Sequence, residues 1–248
     1  GRVTPLYYDM HCHLSEFTDK EVEELFETIK DLKVVAVSED LKSFNRVLEL
    51  SERFPNVVPC AGFHPWSLKD HDISEAWDLL RLATRHGIRC LGEVGLDRHF
   101  MPIDTMQSQV KVFRAYAEAA KELGALLNVH SPDAWRDALS IAVEVGAPKV
   151  MFHWYSGPLN LIPEIIGRGY FVSINVALKV QPKLKDVAKA TPIDFMVFES
   201  DGPYNYHGLR LTPLMIPDLA KEVANLKSVQ LEELLKAVEA NSSRLLNT

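Results

Sequence analysis

The chain has 248 residues, 47% of them hydrophobic, which suits one large α/β barrel or two small domains with a buried core. Its formal charge of -7 argues against an extended basic surface for gripping duplex nucleic acid, since such binding neutralises many phosphates, but leaves room for a small phosphate-ester pocket. No apolar run approaches the roughly 18 residues of a membrane helix and no basic-then-apolar leader opens the sequence, so neither anchor nor secretory signal is expected and the cytoplasm is the expected location. The missing initiator methionine suggests a trimmed start.

Short β-branched runs alternate with helical patterns, and no Pro/Gly/Ser-rich linker divides them, so one domain over 1–248 is the simpler reading. The first strand, YYDMH, runs into DMHCHL at 9–14. Alternate side chains of a strand share a face, which would point His11 and His13 the same way, about 7 Å apart, where two imidazoles can converge on one metal ion. Cys12 would face away from them. With Cys60 and Cys90 it forms no paired framework, and reduced thiols are expected.

DKEVEELFETIKDL follows as a helix with Val22, Leu25, Phe26 and Ile29 on its buried stripe. The strands KVVAVS and NVVPCAG come next, the latter leading into GFHPW with His64 and Trp66, and then RCLGEVG, which ends at Glu93. TMQSQVKVFRAYAEAAKELG reads as a long helix capped by Asp104 or Thr105 and closed by Gly124. ALLNVH ends at His130, KVMFHW carries His153, YFVSIN is the seventh strand, and FMVFESD ends at Asp201. Two helical segments, 214–226 and 231–246, complete the last unit.

Eight strands alternating with helices predict a closed (β/α)8 TIM barrel with its chemistry at the carboxyl ends of the strands, where His11, His13, His64, Glu93, His130, His153 and Asp201 all fall. Four imidazoles and two carboxylates are too many for one tetrahedral zinc but suit two divalent cations bridged by a carboxylate. Glu93 is the natural bridge, because its two oxygens can serve two ions. His11, His13 and Asp201 would hold one ion, and His130 and His153 would complete the other with Glu93. Water between such ions loses its proton near neutral pH, so hydrolysis is the expected chemistry, with Glu93 and Asp201 catalytic and Asp201 the candidate general base.

Asp9 and Glu199 share strand parity with His11 and Asp201, so either could stand behind a ligand and fix its orientation, and Glu199 also rivals Asp201 as a ligand. His64 exceeds what two ions need and is assigned to substrate, as a contact to a phosphate oxygen. His71, His86, His99 and His207 read as solvent-exposed. Trp66, Trp135, Trp154 and Tyr204 are candidates to line the mouth and stack a base. Mixed imidazole and carboxylate donors suit zinc, manganese, nickel or iron better than magnesium.

The blocks DMHCHL, RFPNVVPCAGFHPW, LGEVGLD, FRAYAEAAKELGALLNVHSPDAW, FHWYSG, ESDGPY and EANSSRLL resemble, in that order, the signature blocks of the TatD family of metal-dependent hydrolases. The resemblance implies a TIM-barrel metallohydrolase of the amidohydrolase-like superfamily, with DNase action, often at the 3′ end of single strands, and magnesium support common. Some members of the family are assigned to other esters, such as mischarged aminoacyl-tRNA. Carried onto matching positions, the family's ligands fall on His11, His13, Glu93, His130, His153 and Asp201, and its additional active-site histidine on His64.

Three departures bear on substrate. Pro132 stands where the family often has an arginine, Trp154 and Tyr155 replace smaller residues, and NYHGLRLTPLM is shorter than the usual basic stretch, with Arg210 as its candidate replacement. The expected substrate is a single-stranded nucleic-acid end or a small phosphodiester. The alternative is a carboxylic ester or amide, and a metal-holding barrel without activity is a third reading. No membrane association and no obligate protein partner is expected.

Overall fold

Strands alternate with helices along the whole computed structural model, which describes residues 5–247; both ends of the expected 1–248 domain lie outside the described residues. The eight main strands are β1 (Tyr7–Cys12), β2 (Leu32–Ala36), β3 (Val57–Pro59), β4 (Cys90–Gly95), β5 (Leu126–His130), β6 (Lys149–Phe152), β7 (Phe171–Asn175) and β8 (Met196–Glu199). Between and after them lie α1 (Asp19–Thr28), α2 (Leu41–Arg53), α3 (Ser74–Arg85), α4 (Met106–Leu123), α5 (Trp135–Val145), α6 (Ile162–Gly167), α7 (Pro182–Ala190), α8 (Ile216–Lys227) and α9 (Leu231–Leu246). A small antiparallel hairpin, β9 (Asn205–Tyr206) and β10 (Leu209–Arg210), follows β8.

Parallel pairing runs continuously through β1–β3 and through β4–β8. Two thinner seams close the ring. At one, Ala61 N donates to Cys90 O (3.1 Å) and Gly92 N to Ala61 O (2.9 Å); at the other, Asp201 N donates to His11 O and His13 N to Gly202 O, both at 2.8 Å. The result is the (β/α)8 barrel the strand count predicts, with every expected strand present.

Local chemistry explains the helix ends. Thr18 and Glu21 form a capping box at the start of α1, and Gly124, at φ 64°, ends α4 in the left-handed conformation that glycine adopts without strain. The start of α4 differs from expectation: a short turn, Ile103–Thr105, leads into it, and neither Asp104 nor Thr105 caps it through a side chain. Among the described residues no helix is long and apolar enough to cross a membrane.

The core has two layers. Tyr8, Met10, Val35, Val58, Met151 and Val197 fill the barrel interior, joined by Leu245 and Leu246 of α9, while the opposite faces of the strands pack on the helices. Toward the carboxyl ends the inward positions turn polar: Leu126 gives way to Asn128 and His130, Phe171 to Ser173 and Asn175, Val197 to Glu199 and Asp201. Burying these groups is tolerable only if they satisfy one another.

Strict alternation fails at two strands, which corrects the parity reading. The register of β1 shifts between Asp9 and Cys12, and that of β4 between Leu91 and Val94. In β4 both Leu91 and Val94 pack outward, so the extra residue at Gly92 re-aims Glu93 into the mouth. The same device turns Cys12 out to the helices, away from the face of Tyr8 and Met10.

The expectation of three reduced thiols is also corrected: Cys60 and Cys90 are joined by a disulfide, and Cys12 alone is free. The two lie 30 residues apart in sequence, and the Ala61–Leu91 bridge between β3 and β4 brings them together inside the barrel.

Gly95 marks the tightest passage. Its φ is 158°, and an added Cβ would lie 1.7 Å from His130 O. Gly95→Ala is expected to destabilise the fold by roughly 3 kcal/mol, read as a lower urea midpoint at unchanged m-value.

Candidate metal centre

Glu93 stands at the centre of the polar end of the barrel, 1% exposed, with its two oxygens facing different partners. Oε1 lies 3.2 Å from His11 Nε2 and 3.0 Å from His13 Nε2. Oε2 lies 2.8 Å from His130 Nδ1, 3.2 Å from His153 Nε2 and 3.3 Å from His64 Nε2. Asp201 Oδ1 completes the first group, 3.3 Å from His11 Nε2 and 3.1 Å from His13 Nε2. Donor atoms of His11, His13, Glu93 and Asp201 fall within 4.8 Å of one another, as do those of His64, Glu93 and His130. The His153 ring stacks on that of His11, with centroids 3.5 Å apart.

Each of four imidazoles turns one nitrogen to this centre because its other nitrogen is held from behind. His11 Nδ1 meets Asn128 Oδ1 at 2.8 Å; the Asn128 amide donates to Met10 O at 2.9 Å, which fixes its oxygen toward His11. Glu39 holds His13 Nδ1 in a close contact. Asp97 Oδ2 receives His130 Nε2 at 2.7 Å, and Glu199 Oε2 receives His153 Nδ1 at 2.7 Å. Orienting partners of this kind fix tautomer and ring direction.

Sequence reasoning missed Asn128, Glu39 and Asp97. Asn128 carried a signal, a lone amide at inward parity in the apolar strand LLNVH; Asp97 lay inside the quoted LGEVGLD without being singled out; Glu39 carried none. Glu199 lies behind His153 and also accepts the N–H of Trp154 at 2.7 Å and the Asn175 amide at 3.0 Å, so its lone pairs point away from the centre. Asp9 braces backbone instead of a ring, its Oδ1 accepting from His11 N (3.2 Å) and Ser200 N (3.0 Å). Burial raises its pKa to about 7.

The donor set fits cations. Burial opposes every charge in the cluster, yet opposite charges outweigh it. For His11, burial and His153 push the pKa down, while Glu93 and Asp201 lift it to about 9. Despite burial, Glu39 and Asp201 raise His13, Glu199 and Glu93 raise His153, and Asp97 and Glu93 raise His130. Glu93 and Asp201 are held below the usual carboxylate range by these imidazoles, against the cost of burial. Asp201 Oδ1 is buried and faces only the His11 and His13 nitrogens, with no hydrogen bond of good geometry to any other group. With Nδ1 of His11 and His13 engaged, neutral rings would turn Nε2 lone pairs toward carboxylate lone pairs, an arrangement that only protons or metal ions relieve.

His64 differs from the other four. Its Nδ1 accepts the N–H of Trp66 at 3.0 Å, so in the neutral ring Nε2 carries the hydrogen and is a donor. Burial lowers its pKa and favours that neutral form.

The centre opens into a cavity of about 1040 Å³ lined in part by Trp66, Phe100, Trp154, Tyr204 and Tyr206. Trp135 also borders it but is buried against Tyr155, with ring centroids 4.7 Å apart. Arg210 departs from expectation: it does not line the cavity, its guanidinium pairs with Glu21 at 2.8 Å and lies over the Phe17 ring. His86, His99 and His207 are exposed as expected, whereas His71 is half-buried beside Glu75, at 3.1 Å.

A parallel barrel with imidazoles and carboxylates converging at its strand ends is the framework of a metal-dependent hydrolase. The family model for TatD-related DNases matches residues 8–247, and the chain belongs to the TatD family of metal-dependent hydrolases. It is 30% identical to the uncharacterized metal-dependent hydrolase YcfH of Escherichia coli K12, covering 96% of this chain and 94% of YcfH. Against human deoxyribonuclease TATDN3 it is also 30% identical, over 96% of this chain and 93% of that protein. The crystal structure of YJJV, a TatD homolog from Escherichia coli K12, shares the fold, with a TM-score of 0.85 over 98% of both chains at 21% identity.

Proposed function

We propose that the chain acts as one domain, over 1–248, that hydrolyses phosphodiesters, single-stranded nucleic-acid ends or small diesters, with two divalent cations held by His11, His13, Glu93, His130, His153 and Asp201. The observation that carries this reading is Glu93, whose two oxygens face separate sets of imidazole nitrogens. A relative named as a deoxyribonuclease supports the phosphodiester choice. Zinc, manganese, nickel or iron suit the donors, and magnesium is the alternative. A cytoplasmic location belongs to the same proposal.

Bound divalent cations would acidify water and offset charge building on the attacked group. The chain's own residues do the rest. Asp201, with its Oδ1 facing the His11 and His13 nitrogens at the centre, orients the attacking water and accepts its proton. His64 donates from Nε2 to a phosphate oxygen, and Trp66 offers a ring to a base. Asn128, Glu39, Asp97 and Glu199 hold the imidazoles so that no reorganisation is needed on binding.

The test is chelation and reloading with single metals, followed by assays on single-stranded DNA, bis-p-nitrophenyl phosphate and simple amides. Metal-dependent turnover of the diesters is expected. An amide or carboxylic ester turned over with both diesters inert would establish the second reading, which the scarcity of free cations around the cavity favours.

Two further outcomes follow. Asn128→Ala frees His11 Nδ1 and is expected to weaken metal affinity by about 10-fold to 100-fold by calorimetry. Because the cluster's imidazoles are held protonated above their ordinary range, protons compete with metal; apparent affinity is expected to rise between pH 6 and pH 9, with proton release on binding. Affinity independent of pH across that window would contradict protonated imidazoles.

A further inference from the structure

We infer that this site takes a substrate bearing one scissile phosphate between two flat or apolar groups, and that it does not grip a strand beyond its terminal nucleotide. The inference rests on the phosphodiester reading above and deepens it.

Charge around the cavity is the first ground. Beyond the carboxylates of the centre and Glu39, four acids line the walls: Glu16, Asp40, Asp70 and Asp133. Only Lys42 and Arg46 among the lining residues are lysine or arginine. Arg46 is committed, its guanidinium 2.7 Å from Asp19, 3.3 Å from Glu49 and donating to Phe17 O. The two outlying histidines are committed to carboxylates as well, His71 to Glu75 at 3.1 Å with Asp40 and Asp70 each at 3.6 Å, and His99 to Asp133 at 2.8 Å. Lys42 is therefore, among the described lining residues, the one lysine or arginine without an ion pair. Lys69 lies just outside, 5.9 Å over the Trp66 ring. Arg210 is spent on Glu21, and Pro132 offers no charge. A polyanionic strand would find almost no free cation along this rim to neutralise its successive phosphates, whereas a single phosphate at the metal centre needs none.

The second ground is the aromatic lining. From the end of β3, Trp66 presents a ring steadied by its Nε1–H bond to Asp97 at 2.7 Å, with Phe100 edge-on at 5.3 Å. From the ends of β6 and β8, Trp154 is fixed by its Nε1–H bond to Gln181 at 2.8 Å and by contacts with Tyr204 and Tyr206 at 5.9 and 5.4 Å. Trp154 holds φ at 43°, a left-handed backbone a bulky residue rarely adopts, which commits its ring to this wall. Phe100 and Tyr204 are about half exposed, at 52% and 47%, and open to a ligand. Rings on two sides of a metal centre suit a base on one side of the scissile phosphate and an aryl or second base on the other.

The test compares the metal-loaded enzyme on the p-nitrophenyl ester of thymidine 5′-monophosphate, on trithymidylate and on a thirty-residue oligothymidylate. KM per end is expected to agree within about threefold across the series, with a log–log salt slope no steeper than about -1.4, two phosphate contacts at most. Phe100→Ala and Tyr204→Ala, whose rings touch no member of the metal cluster, are expected to raise KM by about fivefold with kcat nearly unchanged. A KM falling tenfold or more from trithymidylate to the long strand, with a steep salt slope, would overturn the inference while leaving the phosphodiesterase reading intact. Failure of all three substrates and of bis-p-nitrophenyl phosphate would instead remove the phosphodiesterase reading and this inference with it.

Discussion

Glu93→Gln is expected to lower kcat/KM on bis-p-nitrophenyl phosphate by about a thousandfold or more, because one neutral amide cannot give two cations an anionic oxygen each. The same substitution removes the charge, and one of the two acceptor oxygens, that four imidazoles and His64 share. In metal-free protein the loss has a pH signature. Imidazoles such as His11, whose pKa is raised to about 9, contribute stability that is fully present below their unfolded value and lost as pH rises through the folded one. Glu93, with its pKa lowered, contributes above its unfolded value and loses that contribution as pH falls. The variant's deficit is therefore expected to be largest near pH 6, about 3 kcal/mol, and to shrink toward pH 9. Chemical denaturation at both pH values measures it; a deficit that grows with pH would contradict the proposed pairing.

Asp201→Asn should cost about a thousandfold in kcat with little change in KM, since the amide keeps shape but cannot accept a proton from water. Asp201 Oδ1 faces His11 Nε2 at 3.3 Å and His13 Nε2 at 3.1 Å, so the substitution removes a charge from these contacts but keeps the side chain's shape, and the fold should survive. Metal content measured alongside separates the proposed roles: retained metal with lost turnover marks the general base, and lost metal marks the ligand. Unchanged kcat would remove Asp201 from the mechanism.

The eight strands were legible because each is a short, largely apolar run set between helical patterns, and polar residues at or just past most of their ends marked the histidines, Glu93 and Asp201. What the rule could not supply was the bulges. The register shifts at Asp9–Cys12 and Leu91–Val94 break the two-residue period on which parity arguments depend, and Asp9, expected to fix a ligand's orientation, holds His11 through its backbone N–H. Long-range partners were equally hidden: Asn128 is 117 residues from His11, and Glu39 is 26 from His13. Cys60 and Cys90 looked unpaired until the β3–β4 seam placed them side by side. Arg210 looked free because nothing in NYHGLRLTPLM reveals that Glu21 of α1 lies within reach.

The most direct measurement is anomalous diffraction from crystals of manganese-loaded protein. Two peaks are expected, one on each side of Glu93, the first among His11, His13 and Asp201 and the second beside His130 and His153. A single peak, or peaks distant from Glu93 at saturating manganese, would contradict a carboxylate shared between two cations.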